Sequence, residues 1–121
     1  MSGTSNYTAH VVDGVHVIEL SRSDVLDTSY ITRVQQELVA YAAEKHGASM
    51  VIDLTNVQFL SSTALGLLMA LHQAVSKAGG TVSVAGAQPE VFKAFKLVKL
   101  HKVVGMHDTV REAVDAALKA R

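Results

Sequence analysis

The chain has 121 residues, a length that suits one domain around one core. Hydrophobic residues make up 49% and charged residues 18%, which excludes a disordered chain. Eleven basic residues balance eleven acidic ones, leaving no basic excess for direct nucleic-acid or anionic-membrane binding, and the lack of cysteine excludes disulfides and thiolate sites.

Residues 1–6 have no basic flank and no apolar run, so they are not a signal peptide and are expected to form a flexible N-terminus. No stretch approaches the roughly 18 apolar residues of a membrane span. A cytoplasmic location fits both this and the missing cysteines. Residues 7–12 and 15–20 read as strands around Asp13-Gly14, a dipeptide that favours a two-residue hairpin because both central positions need positive φ. That register pairs Val12 with Val15, Val11 with His16, and His10 with Val17. Tyr7, Ala9, Val11, His16, Ile18 and Leu20 share one face, which is expected to meet the core. His10 and His16 fall on opposite faces, against a shared metal.

Residues 21–27 form a polar connection ending in Leu26-Asp27. Thr28 or Ser29 then caps a helix over about 30–46, with Ile31, Val34, Leu38 and Tyr41 at helical spacing and Gly47 closing it. Met50 to Leu54 shows little alternation, the pattern of a central strand covered on both faces. A loop follows, then a helix after Ser62 that runs to about Ala78. Leu65, Leu68, His72 and Val75 form its apolar stripe, widened by Ala64 and Leu71. Ser62, Gly66, Met69 and Gln73 form a neighbouring stripe. Leu65, Leu68 and Val75 are expected to face the sheet, and Gly66 and Gln73 to face solvent.

Gly79-Gly80 makes a turn, and Thr81 to Ala85 is the next strand. Pro89 opens a short helix to about Leu97, with Val91, Phe92, Phe95 and Val98 expected inward. Val103-Val104 reads as a short last strand. Thr109-Val110-Arg111-Glu112 fits a capping box for a final helix with Val110, Ala113, Val114, Ala117 and Leu118 on one face. The order is ββαβαβαβα. It implies a single α/β domain over residues 1–121, with a mixed, mainly parallel sheet, an N-terminal hairpin and about four helices packed mainly on one side.

Ser61, Ser62 and Thr63 sit where the long helix begins, and two roles are open to them. They are caps for free backbone N–H groups, or one of them is a phosphorylation switch. A phosphate at a helix N-terminus meets unpaired donors and the positive dipole end.

The run Asp53-Leu54-Thr55-Asn56-Val57-Gln58-Phe59-Leu60-Ser61-Ser62-Thr63-Ala64-Leu65-Gly66, in this order of elements, resembles the STAS domain family. Ala78-Gly79-Gly80 and the strand after it match as well, and the resemblance runs from about Tyr7 to Leu118. Its bacterial members include anti-sigma factor antagonists. In these a serine is phosphorylated by a partner that is both serine kinase and anti-sigma factor, and a phosphatase resets it. The unphosphorylated protein binds that partner and releases the sigma factor.

The resemblance places the acceptor at Ser62, with Ser61 and Thr63 as lesser candidates. It puts Asp27 near the acceptor loop. With the exposed stripe, the implied partner surface is Asp27, Ser61, Ser62, Thr63, Gly66, Met69 and Gln73. Ser61 stands where the family has aspartate, and Ala64 where it has glycine. The implied function is a non-enzymatic antagonist acting by partner switching as a monomer or weak dimer. The alternative is a constitutive scaffold or sensor module without phosphorylation.

No cofactor and no metal are expected. The six histidines show no pair at ligand spacing, and His72 reads as a half-buried, hydrogen-bonded residue. A serine hydrolase would need a base on its nucleophile, and there is no G-x-S-x-G elbow. No phosphate-binding G-x-x-x-x-G-K-[ST] loop is present. The scattered lysines of the second half read as solvated faces.

Overall fold

Asp13 and Gly14 take φ of 53° and 85°, the paired left-handed conformation of the tight hairpin turn. The turn joins β1 (Tyr7–Val12) to β2 (Val15–Leu20) in the expected register, with Val12 opposite Val15 and Val11 opposite His16. The computed structural model describes residues 7–20, 24–25, 28–45, 47–57 and 59–119. The N-terminal segment 1–6 and Asp27 lie outside the described residues.

After the hairpin come β3 (Asp24–Val25), α1 (Thr28–Glu44), β4 (Ser49–Asp53), β5 (Phe59–Leu60), α2 (Ser62–Lys77) and β6 (Thr81–Ala85). Then follow α3 (Pro89–Leu97), a 3-10 turn over Leu100–Lys102, β7 (Gly105–His107) and α4 (Val110–Lys119). One sheet runs β1-β2-β4-β6-β7, and β3 pairs with β5 separately. Only the hairpin is antiparallel within the large sheet; β2–β4, β4–β6 and β6–β7 are parallel. This is a single α/β domain with a mixed sheet, as the alternation of elements predicts.

The short unpatterned run of β4 lies between β2 and β6, and Met50, Val51 and Ile52 are at most 1% exposed. Both faces of this strand are therefore covered, which is why its sequence does not alternate. One face meets α1, α2 and α3. There Ile18, Met50, Ile52, Val82 and Val84 pack with Val34 and Leu38, with Leu67, Leu68 and Leu71, and with Val91 and Phe95. The other face meets α4, whose Ala113 and Val114 cover Val15, Val17, Val51 and Ala85. On the hairpin, Val15 and Val17, which face away from the main core, are thus buried, whereas Ala9 and Val11 on the face expected to meet the core are exposed.

Four local expectations are corrected. The connection over 21–27 contains β3, whose two residues are too few to leave a periodic signal. The last strand is Gly105–His107, because the chain first makes the 3-10 turn and Val103 remains half exposed. In α3 Val91 and Phe95 are buried, whereas Phe92 and Val98 are exposed; the helix stops at Leu97, so Val98 leaves the helical phase. In α2 the phase turns so that Leu67 joins Leu68, Leu71 and Val75 in the core while Leu65 is half-buried.

The capping box holds with a change of partner. Glu112 N–H donates to Thr109 Oγ1 at 3.1 Å, and Glu112 Oε1 accepts from the Asp108 N–H at 3.3 Å, one residue before the cap. Lys99, at the end of the α3 connection, adopts φ 60° and ψ 22°. A left-handed residue with a Cβ costs about 1–2 kcal/mol, part of which glycine returns through its freer unfolded chain. Lys99→Gly should therefore stabilise the protein by about 0.5–1 kcal/mol in a urea titration. A loss of stability would show that the lysine side chain contributes more than the strain.

Candidate functional site

β4 ends at Asp53, and the chain leaves the sheet there because the Asp53 carboxylate accepts from the Thr55 N–H at 3.0 Å and from the Thr55 hydroxyl. The turn is then pinned from below. Leu54 and Val57 are fully buried, the Leu54 N–H donates to the Ala85 carbonyl at 2.9 Å, and the Val57 N–H donates to the Leu54 carbonyl at 3.0 Å. It is also pinned from the sides. Gln88 Nε2 donates to the Thr55 carbonyl at 3.0 Å, and Asn56 Nδ2 donates to Glu19 Oε2 at 2.9 Å. Gly86, with φ of 72°, lies against this turn, and a Cβ there would run into the Thr55 side chain. Glycine is required at that position both for its backbone and for the space it leaves.

The chain returns through β5, where Leu60 is opposite Val25 and is buried. Ser61 follows in extended conformation (φ −78°, ψ 166°), and its Oγ accepts from the Ala64 N–H at 3.1 Å. Ser61 is therefore the cap of α2, and Ser62 is the first helical residue. Ser62 and Thr63 are exposed. Their N–H groups belong to the first turn, which has no preceding helical carbonyls to bind. No acidic side chain of α2 sits in that turn to offset the positive end of the helix dipole. Ser61→Ala should cost about 0.5–2 kcal/mol of unfolding free energy, and Ser62→Ala less than about 0.5 kcal/mol. Equal costs in chemical denaturation would remove the distinction between the two hydroxyls.

Along α2, Ser62, Gly66 and Gln73 are exposed at spacings that put them on one face. Met69, on the edge of that face, is half-buried and packs against the core. The structure thus brings together Ser61, Ser62, Gly66, Met69 and Gln73, with Thr63 beside them.

The sequence reading missed the opposite bank. A surface groove of about 520 Å³ is lined by Leu60, Ser61, Ser62 and Leu65 on one side and by Ala94, Leu97 and Val98 on the other. Leu97 is 85% and Val98 52% exposed. The available signal was the adjacent pair of large apolar residues at the end of a short helix. Periodicity hides it, because it assigns one member of any such pair to the core.

His72 lies away from this surface stripe and is half-buried, as expected; its Nδ1 has no hydrogen-bond partner among the described residues. Among the described residues no group of three or more His, Cys, Asp or Glu is placed to hold a metal ion. No described helix is long and apolar enough to cross a membrane.

Comparison with known proteins bears on this arrangement. The anti-sigma F factor antagonist of Paenibacillus polymyxa is 27% identical over 96 residues, which are 78% of this chain and 80% of that protein. The crystal structure of an anti-sigma factor antagonist from Mycobacterium paratuberculosis is similar at TM-score 0.79 and 27% identity, covering 92% of each chain. An anti-sigma-factor antagonist (STAS) domain protein from Planctomyces limnophilus shares the fold at TM-score 0.83 and 17% identity, over 94% of this chain and 99% of that one. The model of the STAS domain matches residues 6–113. With nearly the whole chain matched, and the expected sheet, hairpin and helices in place, this protein belongs to the STAS domain family.

Proposed function

We propose that this protein is a non-enzymatic regulatory binding module, an anti-sigma factor antagonist that works by partner switching under the control of phosphorylation at Ser62. The similar proteins named as antagonists support the first part. One observation carries the second: Ser61 is engaged as the helix cap, while Ser62 stands exposed at the first helical position, beside Gly66 and Gln73. A phosphate on Ser62 meets the positive end of the helix dipole and the first-turn N–H groups that the Ser61 cap does not use, so the modification needs no change of fold. It adds about −1.5 to −2 charges to a surface whose helix start carries no acidic residue of its own.

The partner is an anti-sigma factor with serine kinase activity, reset by a phosphatase. It covers the face of Ser62, Thr63, Gly66, Met69 and Gln73, with Asp27 assigned to the same surface by family resemblance. The strongly exposed Leu97 and Val98 across the groove offer it apolar contact next to the acceptor. The working location is the cytoplasm. Incubation with the cognate kinase and ATP, followed by mass mapping, tests the reading. Phosphate on Ser62, abolished by Ser62→Ala, supports it. Phosphate on none of Ser61, Ser62 and Thr63 removes the switch. The cap formed by Ser61 favours, in that event, a constitutive scaffold or sensor module in which the hydroxyls have only a structural role.

A further inference from the structure

Both ends of the large sheet are edges, and they are built differently. β7 has three residues, and short edges offer little backbone to a second chain. β1 has six residues, pairs among the described residues with β2 alone and without a bulge, and exposes Thr8, Ala9, His10 and Val11. Proteins that stay single protect such an edge with lysine, proline, a bulge or an inward charge. β1 reads Tyr-Thr-Ala-His-Val-Val and has none of these. Val11 is 56% exposed, one of few large apolar residues so placed.

The two-residue loop makes Val12 and Val15 a hydrogen-bonded pair, and such pairs alternate along an antiparallel ladder. His10 and Thr8 therefore also bond to β2. The N–H and C=O groups of Tyr7, Ala9 and Val11 point outward, away from the sheet. A two-fold axis at Ala9 would bring two copies of this edge together antiparallel, with Ala9 opposite Ala9 and Tyr7 opposite Val11. All the outward groups then meet partners. The side-chain match is favourable as well, since an aromatic residue opposite a β-branched one is a stabilising cross-strand pair. Tyr7 is half-buried and packs against the core, which limits the freedom its side chain would lose in this contact. On the other face Thr8 meets His10, and no like charges oppose one another.

We propose that β1 is a self-association edge, through which two copies of this chain form an antiparallel dimer centred on Ala9 that joins their sheets. The edge is short, so the interface is small and the dimer is weak and concentration-dependent, to be sought up to the highest soluble concentration. It does not include the Ser62 loop, and its failure leaves the reading of Ser62 untouched.

The register gives a charge-swap test on the full chain by sedimentation equilibrium. Ala9→Lys and Ala9→Glu each place like charges opposite each other across the axis. Either variant alone should dimerise at least tenfold more weakly than wild type, and an equimolar mixture should regain the dimer mass. Ala9 is exposed, so both variants should keep the wild-type thermal unfolding midpoint to within a few degrees. Val11→Lys, at a second exposed position, should weaken the dimer independently. A single-chain mass for wild type through that concentration range overturns the proposal. So does wild-type dimerisation by either Ala9 variant, or a mixture that stays monomeric.

Discussion

Leu68→Ala should lower the unfolding free energy by about 2–5 kcal/mol, to be read as a shift of the urea midpoint at unchanged slope. Leu68 is 2% exposed and belongs to the cluster in which α2 meets the sheet. Removing its branched end takes away the transfer free energy of the buried carbons and leaves a cavity. That cavity closes poorly, since α2 rests between α1 and the inner strand β6, which is hydrogen-bonded in register to β4. A domain of this size has about 5–15 kcal/mol in total, so the loss is a large fraction of its stability. Leu65→Ala costs clearly less, because Leu65 is half-buried and lines the open groove beside Ser62. Small effects at both positions, or the reverse order, would show that α2 is rotated about its axis relative to the packing described above.

If Ser62 is the switch proposed above, Ser62→Glu should weaken binding to the proposed kinase partner by up to roughly a hundredfold, and Ser62→Ala should leave it near the wild-type value. Calorimetric titration with the partner and nucleotide reads both. The side chain at position 62 is on the exposed side of α2, so neither variant disturbs the core. The difference between them is the charge. Buried beneath a docked partner, a carboxylate must give up its water, and it repels any acidic group brought opposite. A coupling of about 1–3 kcal/mol is typical for such regulation. Glutamate carries less charge than phosphate, so the phosphorylated protein should bind more weakly still. Equal affinity for wild type and Ser62→Glu would separate the partner surface from Ser62, and would leave the groove of Leu65, Ala94, Leu97 and Val98 as the contact to examine.

Much of the candidate site was legible in order along the chain. The apolar run into Asp53, the polar turn and the three hydroxyls before a helical period locate the start of α2 to within one residue. Which hydroxyl is the cap was not legible. Ser and Thr are comparable caps, and the choice follows from where the chain turns from extended to helical, here after Ser61. The stripe of Gly66 and Gln73 follows from helical spacing alone. The burial of Met69 does not, because it depends on the packed core beside it.

The sequence by itself determined the hairpin, the central strand and the four helices, because each rests on a local rule. Positive φ selects Asp13-Gly14, unbroken apolarity marks a strand covered twice, and a 3.6-residue period marks one helical face. Only the tertiary structure decided the rest. The β3–β5 pair exists because two short segments, each too brief to signal alone, are brought side by side by the elements that flank them. The phase of α2 was set by the sheet beneath it, which took Leu67, outside the expected stripe, into the core and left Leu65 half-buried. The groove next to Ser62 exists because α3 stops at Leu97, leaving Leu97 and Val98 outside the core that Val91 and Phe95 enter. In each case the deciding contact joins residues far apart in the chain, and no period within one segment carries that information.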